Sequence, residues 1–156
     1  MAVPLTLEKA LEMAIQKEVV SRILYTSLSR RAREEAVKEA CLELAGQEQV
    51  HQDILEKYRR GELKEGALST GRVVDYQIAE HLEQPDVAPD MKLEDTFLLV
   101  AKREKASHEF YLGLARLHPA GEVKRLLEGL AGEELKHKQR VESLYTEVAF
   151  PQTDGG

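Results

Sequence analysis

The stretch LAGQEQVH at residues 44–51 gives the first strong indication of the fold. It places Glu48 and His51 three residues apart, and on a helix this spacing puts both side chains on one face, about one turn apart. The stretch returns as LAGEELKH at residues 130–137, with the glutamate and the histidine at the same positions. A single Glu-x-x-His motif on a charged helix is usually a surface pair, whereas two copies in register indicate a repeated structural unit.

The repeat extends along both halves of the chain, because a shift of 86 residues aligns them without a gap. Glu18 then meets Glu104, and Tyr25 meets Tyr111. Apolar residues at helical spacing predict four helices, over residues 5–30, 34–60, 93–117 and 122–147. Thr6 is expected to cap the first of them. Two similar helical hairpins joined by a long crossover predict an all-α four-helix bundle with pseudo-twofold symmetry.

Residues 61–92 differ from the helical segments, because glycines and prolines interrupt them. We interpret them as the crossover between the hairpins, with one short helix over residues 68–82, rather than as a second domain. Residues 1–150 are therefore predicted to form one domain, followed by a flexible tail over residues 151–156.

The composition limits the classes of function. The chain has 156 residues and a formal net charge of −6, with no basic cluster beyond residues 30–33, so nucleic acid is not an expected partner. No stretch approaches the roughly 18–20 continuous apolar residues of a membrane span, and residues 1–6 lack the features of a signal peptide. Cys41 is the only cysteine and is expected to be a small buried hydrophobic residue. No internal disulfide is possible, and a cytoplasmic location is expected.

Each half supplies one glutamate from its first helix and one Glu-x-x-His motif from its second. These six residues lie on otherwise apolar helix faces: Glu18, Glu48, His51, Glu104, Glu134 and His137. Burying four carboxylates together is costly unless they are neutralised, and no lysine or arginine lies on these faces at the same level, Arg22 being the nearest. Two divalent cations fit better, because di-iron and di-manganese carboxylate bundles use this ligand set.

Glu48 and Glu134 are the expected bridges between the metals, and His51 and His137 are expected to cap one metal each. Carboxylate and imidazole ligands favour iron or manganese, and the absence of thiolate argues against a structural zinc site. Manganese or zinc are expected substitutes for iron. Two irons that each give one electron match the two-electron cleavage of an O–O bond, which favours redox chemistry over hydrolysis.

The ligand pattern, with Tyr25 and Tyr111 each seven residues after a glutamate, resembles the rubrerythrin di-iron domain of the ferritin-like superfamily. The resemblance covers residues 5–148 and implies a ferritin-like bundle with two iron ions, whose six ligands are also the catalytic residues through the metals. It further implies reaction with peroxide or O2 and assembly as a homodimer. The chain departs from rubrerythrins at Ser107, where they carry a further glutamate, and it has no rubredoxin domain with paired cysteines. Electrons are therefore expected from a separate donor protein.

Three functions follow from this pattern. The first is an oxidoreductase that reduces hydrogen peroxide or O2 at the dinuclear iron site with an external electron donor. The alternative is a ferroxidase or iron-sequestering protein, for which Fe(II) is the substrate. The second alternative is a non-catalytic metal-binding helical module.

Several polar residues near the predicted site have two interpretations. Tyr25 and Tyr111 are expected to pack in the core, with a hydrogen bond to a ligand carboxylate as the alternative. Direct ligation by either is not expected, because seven residues span about 10 Å along a helix. His108 follows Glu104 by one turn and is expected at the edge of the bundle rather than as a ligand.

For other residues, the place in the pattern is the basis of the prediction. His81 and His118 fall in the crossover and in a turn, so both are expected to be solvated. Gly46 and Gly132 interrupt predicted helices at equivalent positions of the repeat. A helix-interior glycine costs about 1 kcal/mol relative to alanine, and its repetition predicts a close helix contact near the site.

Overall fold

The computed structural model of the chain describes residues 6–63 and 90–151. Four α-helices account for most of them: α1 (Leu7–Arg31), α2 (Glu35–Arg59), α3 (Leu93–Arg116) and α4 (Glu122–Ala149). The helices agree with the predicted segments to within two residues at each end, and the all-α four-helix architecture is confirmed. The short helix predicted over residues 68–82, His81 and residues 152–156 of the predicted tail lie outside the described residues.

The start of α1 follows the predicted cap. The backbone N–H of Lys9 donates to Thr6 Oγ1 at 3.2 Å, which satisfies one of the free donors at the helix N-terminus. Thr6 itself has extended backbone angles, as a capping residue should. The helix therefore begins where the sequence places a side-chain acceptor.

Helices α1 and α2 form one closely packed hairpin, and α3 and α4 form the other. Between the hairpins, the backbones approach each other closely at few positions. The end of α1 meets the start of α3, where Arg31 Nη2 donates to the carbonyl oxygen of Met91 at 2.7 Å and Nη1 donates to Thr96 Oγ1 at 3.3 Å. The two helices are thus antiparallel, and space between the hairpins is left for side chains.

The apolar core is divided into two clusters. One contains residues from the start of α1, the ends of α2 and α3 and the first half of α4: Leu7, Leu11, Ile15, Leu55, Tyr58, Phe110, Tyr111, Leu114, Val123, Leu127 and Leu130. The other contains residues from the opposite helix ends: Tyr25, Leu28, Val37, Cys41, Leu44, Phe97, Val100, Val141 and Leu144. The intervening level of the bundle is polar, and the predicted ligands lie there.

Cys41 occupies the second cluster and is fully buried, as predicted. Burial raises the pKa of its thiol to about 11, so the group is a packing residue and not a reactive thiolate. In residues 6–63 and 90–151, no helix combines the length and the hydropathy that crossing a membrane requires.

Candidate metal centre

All six predicted ligand residues lie in one buried polar layer between the two apolar clusters. Every one of them is at most 4% exposed: Glu18, Glu48, His51, Glu104, Glu134 and His137. Each helix contributes at its midpoint, because the apolar stripe of each helix carries the polar residue at that level. The structure therefore assembles the set from all four helices, although their binding of metal remains a prediction.

The six residues form two overlapping groups of potential metal ligands. The first contains Glu18, Glu48, His51 and Glu134, and the second contains Glu48, Glu104, Glu134 and His137. Within each group, one ligand atom per residue lies within 4.8 Å of the others. Glu48 and Glu134 belong to both groups, which is the position that the sequence predicted for bridging carboxylates.

The two histidines face the shared carboxylates through the same ring nitrogen. His51 Nδ1 donates to Glu134 Oε1 at 2.5 Å, and His137 Nδ1 donates to Glu48 Oε1 at 2.7 Å. The imidazole rings are stacked, with centroids 5.5 Å apart and planes 12° apart. Each histidine therefore contacts the bridging glutamate of the other hairpin, and Nδ1 is the nitrogen turned toward both candidate metal positions.

Tyr25 and Tyr111 contact the two glutamates that belong to only one ligand group each, Glu104 and Glu18, which we call the terminal glutamates. Each contact crosses from one hairpin to the other. The Tyr25 hydroxyl donates to Glu104 Oε1 at 2.6 Å, and the Tyr111 hydroxyl donates to Glu18 Oε1 at 2.7 Å. Both rings are buried in the core clusters. The favoured core packing and its alternative, a hydrogen bond to a ligand, are therefore both present.

The remaining carboxylate oxygens provide a test of whether a metal fits. In the described part of the chain, the Oε2 atoms of Glu18, Glu104 and Glu134 are buried and accept no hydrogen bond. Such buried acceptors cost about 1–3 kcal/mol each when unsatisfied. Each terminal glutamate thus has one oxygen held by a tyrosine and one available as a ligand. Four carboxylates and two imidazoles around this space fit a dinuclear site for hard or borderline divalent metals.

In the metal-free protein, bound protons offset part of the negative charge of the four carboxylates. Burial raises the pKa of Glu104 to about 8, with a contribution from the charge of Glu134, and burial and the charge of Glu104 also raise the pKa of Glu48. Burial lowers the pKa of His51, but the hydrogen bond and charge of Glu134 outweigh it and raise the pKa to about 9. Glu104 and Glu134 likewise raise the pKa of His137 to about 10 against the effect of burial.

Glu134 is the exception among the carboxylates. Burial and the charge of Glu18 raise its pKa, but contacts with Glu104 and with both histidines outweigh them, so the pKa lies below its usual range. Glu134 therefore carries the negative charge that the protonated histidines share. A metal that enters the layer must displace the protons held by its neighbours.

The metal-free protein should lose thermal stability as the pH rises from 6 to 9. Glu104, His51 and His137 have folded-state pKa values above their unfolded values, so each contributes stability that is complete below the unfolded pKa. That contribution is lost between pH 4.5 and about 8 for Glu104, and between pH 6.5 and about 9 or 10 for the two histidines.

The measurement is thermal unfolding followed by circular dichroism with a chelator present. With saturating Zn(II) the trend should reverse over the same range, because fewer protons compete for the ligands. A metal-free melting temperature that rises between pH 6 and pH 9 would contradict this assignment of protons.

Two buried basic residues lie beside the layer, next to the helix faces on which the sequence has no lysine or arginine at that level. Lys17 precedes Glu18, is 7% exposed, and places Nζ 5.6 Å from the centre of the Phe110 ring. Burial lowers its pKa, and the charges of the nearby carboxylates partly oppose the shift. Arg103 precedes Glu104 at the equivalent position of the repeat and is also buried. Both residues lie one position away from the helix face that carries the glutamates, so the periodicity of that face does not predict their burial.

His108 lies at the edge of the layer, as expected. Its Nδ1 donates to the carbonyl oxygen of Ala131 at 2.6 Å, so this nitrogen is bonded to the backbone of α4. His108 is not part of either ligand group. It links α3 to α4 beside the site.

Two expectations based on local pattern were wrong. His118 is not solvated: it is 7% exposed, and its Nε2 lies 2.6 Å from the Tyr58 hydroxyl. No neighbouring atom of the described residues lies within 4 Å of the Cβ position at Gly46 or Gly132, so these glycines do not permit a close helix contact. His118 is buried by a tyrosine that lies far away in the sequence, and the two glycines face open space. The sequence repeat predicts neither of these features.

Gln47 and Glu133, which were not predicted from the sequence, hydrogen-bond to the outer edges of the two imidazoles. His51 Nε2 lies 2.6 Å from Glu133 Oε2, and His137 Nε2 lies 2.5 Å from Gln47 Oε1. A signal was available, because these residues occupy the same position of the repeated octapeptide, directly before the bridging glutamates. Both pairs border a surface cavity of about 410 Å³ between α2 and α4.

The fold and the layer together fit one class of proteins, the four-helix bundles with a buried carboxylate–histidine site for metals. Comparison with known proteins agrees. The sequence model of the rubrerythrin family matches residues 9–81. The solved structure of a hypothetical protein from Pyrococcus furiosus is similar, with 29% sequence identity and a TM-score of 0.71 over 95% of this chain and 93% of that chain. No curated protein matches the sequence. These two similarities support a ferritin-like domain of the rubrerythrin type.

Proposed function

We propose that the protein is a di-iron oxidoreductase of the cytoplasm that reduces hydrogen peroxide or O2 with electrons from a separate donor protein. The observation that carries the proposal is the buried layer of two ligand groups that share Glu48 and Glu134. The expected donor protein and a second copy of the chain belong to this proposal as partners.

The chain's own residues would hold two iron ions, each with one unshared glutamate and one histidine. Glu18 with His51 would hold one ion, Glu104 with His137 the other, and the shared carboxylates would hold both. A bound ferrous pair would supply two electrons, which together with two protons convert one hydrogen peroxide molecule to two water molecules, or one O2 molecule to hydrogen peroxide.

The surroundings control water and orientation. The two apolar clusters close the layer from both ends of the bundle. The hydroxyls of Tyr25 and Tyr111 fix one oxygen of each terminal glutamate and leave the other turned inward. Burial and the adjacent carboxylates keep the pKa of both tyrosines well above the usual range, so both remain donors at neutral pH. The site is thus preorganised for a cation before one binds.

Ser107 separates this layer from the rubrerythrin pattern. Its hydroxyl donates to the carbonyl oxygen of Arg103 at 3.0 Å within α3. The hydroxyl is therefore bonded to its own helix, and the position supplies no further carboxylate. This is consistent with a cycle that uses the six ligands alone.

The test is anaerobic loading of metal-free protein with ferrous iron, followed by peroxide or O2 in separate experiments. We expect two irons per chain, oxidised by one equivalent of peroxide, and repeated turnover when a reductant is supplied. The same loading is repeated with Glu48→Ala. Glu39→Gln is its matched control, because Glu39 is an exposed carboxylate on the same helix as Glu48. Fewer than two irons at saturation would contradict the dinuclear site.

The same experiment distinguishes the alternatives. Fast oxidation by O2 with continued uptake of iron beyond two per chain would favour a ferroxidase or iron-sequestering protein over the proposed function. Tight binding of two metals with no oxidation by either oxidant would favour a non-catalytic metal-binding module.

A further inference from the structure

The outer hydrogen bonds of the two histidines break the symmetry of the layer. His51 Nε2 is paired with the carboxylate of Glu133 at 2.6 Å, whereas His137 Nε2 is paired with the amide oxygen of Gln47 at 2.5 Å. The two acceptors occupy equivalent positions of the repeat and come in each case from the opposite hairpin. One imidazole therefore donates to a charged acceptor and the other to a neutral one.

The direction of these bonds follows from the ring geometry. Nδ1 of each histidine faces the shared carboxylates and the candidate metal positions. A neutral imidazole that binds a metal through Nδ1 keeps its proton on Nε2 and donates it outward. A carboxylate acceptor draws that proton more strongly than an amide does, and this makes the metal-binding nitrogen more basic.

We propose that Glu133 and Gln47 make the two metal positions inequivalent. The position of Glu18 and His51 binds the first divalent metal more tightly than the position of Glu104 and His137. The inference rests on the dinuclear site of the proposed function and adds an order of filling to it.

The ligands of the two positions are matched in charge, so they do not supply a competing cause. Arg22 and His108 occupy equivalent positions of the repeat and differ in charge, but the exchange of Gln47 and Glu133 leaves both unchanged. Each position has one terminal glutamate held by a tyrosine hydroxyl, and both share the same bridging carboxylates. The adjacent pair of the repeat, Lys17 and Arg103, keeps the same formal charge on both sides.

The effect acts through the direct hydrogen bond more than through distant charge. The Glu133 side chain is 57% exposed, so water screens its field at longer range. The His51 ring that it contacts is 1% exposed, and the bond to that ring is short. Outer-shell partners of metal-bound histidines typically change metal affinity by about 10–100-fold when mutated, and we expect a preference of about tenfold here.

The test measures metal occupancy at each position directly. Protein crystallised with one equivalent of Mn(II) per chain is examined by anomalous scattering, and the occupancies of the two positions are compared. At one equivalent, a tenfold difference in affinity between two independent positions should fill the His51 position about threefold more than the His137 position in the wild type. Glu133→Gln and Gln47→Glu should each bring the occupancies close together, because the two acceptors then match.

The double variant Gln47→Glu with Glu133→Gln is decisive, because it exchanges the acceptors and preserves the net charge. It should reverse the preference and favour the His137 position. Glu43→Gln is the matched control, since Glu43 lines the same cavity; it should leave the wild-type preference unchanged.

The outcomes separate this inference from the function on which it rests. Equal occupancy in the wild type, or a preference that the double variant does not reverse, overturns the inference and leaves the dinuclear site intact. Absence of metal at both positions in the wild type overturns the proposed function and the inference together.

Discussion

Replacement of Glu48 or Glu134 by alanine should abolish the stabilisation of the protein by metal, whereas replacement of Glu18 should remove only about half of it. The difference follows from the geometry, because the first two carboxylates belong to both ligand groups and Glu18 belongs to one. Removal of Glu48 or Glu134 therefore removes one ligand from each of the two metal positions.

The expected size of the effect is large. A metal present at about 100 times its dissociation constant stabilises the folded state by about 2.7 kcal/mol per site, or about 5 kcal/mol for two independent sites. For a domain of this size, 1 kcal/mol corresponds to roughly 2–4 °C in melting temperature. Saturating Zn(II) should therefore raise the melting temperature of the wild type by about 10–20 °C, and that of either bridge variant by almost nothing.

Each variant must be compared with and without metal, because the carboxylates also matter in the metal-free protein. Glu134 accepts the hydrogen bond of His51 Nδ1, so its removal leaves a buried ring without that partner. Glu39→Gln should show the full wild-type shift. An unchanged metal-induced shift in Glu48→Ala and Glu134→Ala would show that these residues are not shared ligands.

The sequence predicted most of the site because the information is local and repeated. Helical periodicity places each glutamate and histidine on a core-facing stripe, and the gapless repeat relates the hairpins. The partners across the bundle depend instead on the register between helices. Because α1 and α3 are antiparallel, Tyr25 lies opposite Glu104 and not near Glu18, from which it is separated by about 10 Å along its own helix.

The burial and contacts of residues outside the core-facing stripes were predicted least well, because the neighbouring helix decides whether such a residue is covered. Lys17 is one residue away from the ligand stripe and is nevertheless enclosed. His118 follows the C-cap residue of α3, Leu117, and is buried against Tyr58. Gln47 and Glu133 occupy exposed positions of their helices, and only their contact with a ring from the other hairpin gives them a role.

Replacement of Tyr25 or Tyr111 by phenylalanine should destabilise the metal-free protein by about 1–3 kcal/mol each, because each change leaves one more buried carboxylate oxygen without a donor. The oxygens concerned are Oε1 of Glu104 and Oε1 of Glu18, whose second oxygens already have no hydrogen-bond partner. The ring is retained, so packing should be preserved, and the repeat predicts similar losses for the two variants.

The double variant should lose about 2–6 kcal/mol, a large part of the 5–15 kcal/mol that stabilises an ordinary domain. Urea unfolding of the metal-free protein measures the loss. Tyr145→Phe is the control, because Tyr145 lies near the end of α4 against Phe150, away from the layer. Tyrosine variants within about 0.5 kcal/mol of the control would show that the hydroxyls do not hold the glutamates. The predicted loss would mean that α1 and α3 are joined through the same hydrogen bonds that orient the terminal ligands, so the stability of the bundle and the preorganisation of the site have one physical cause.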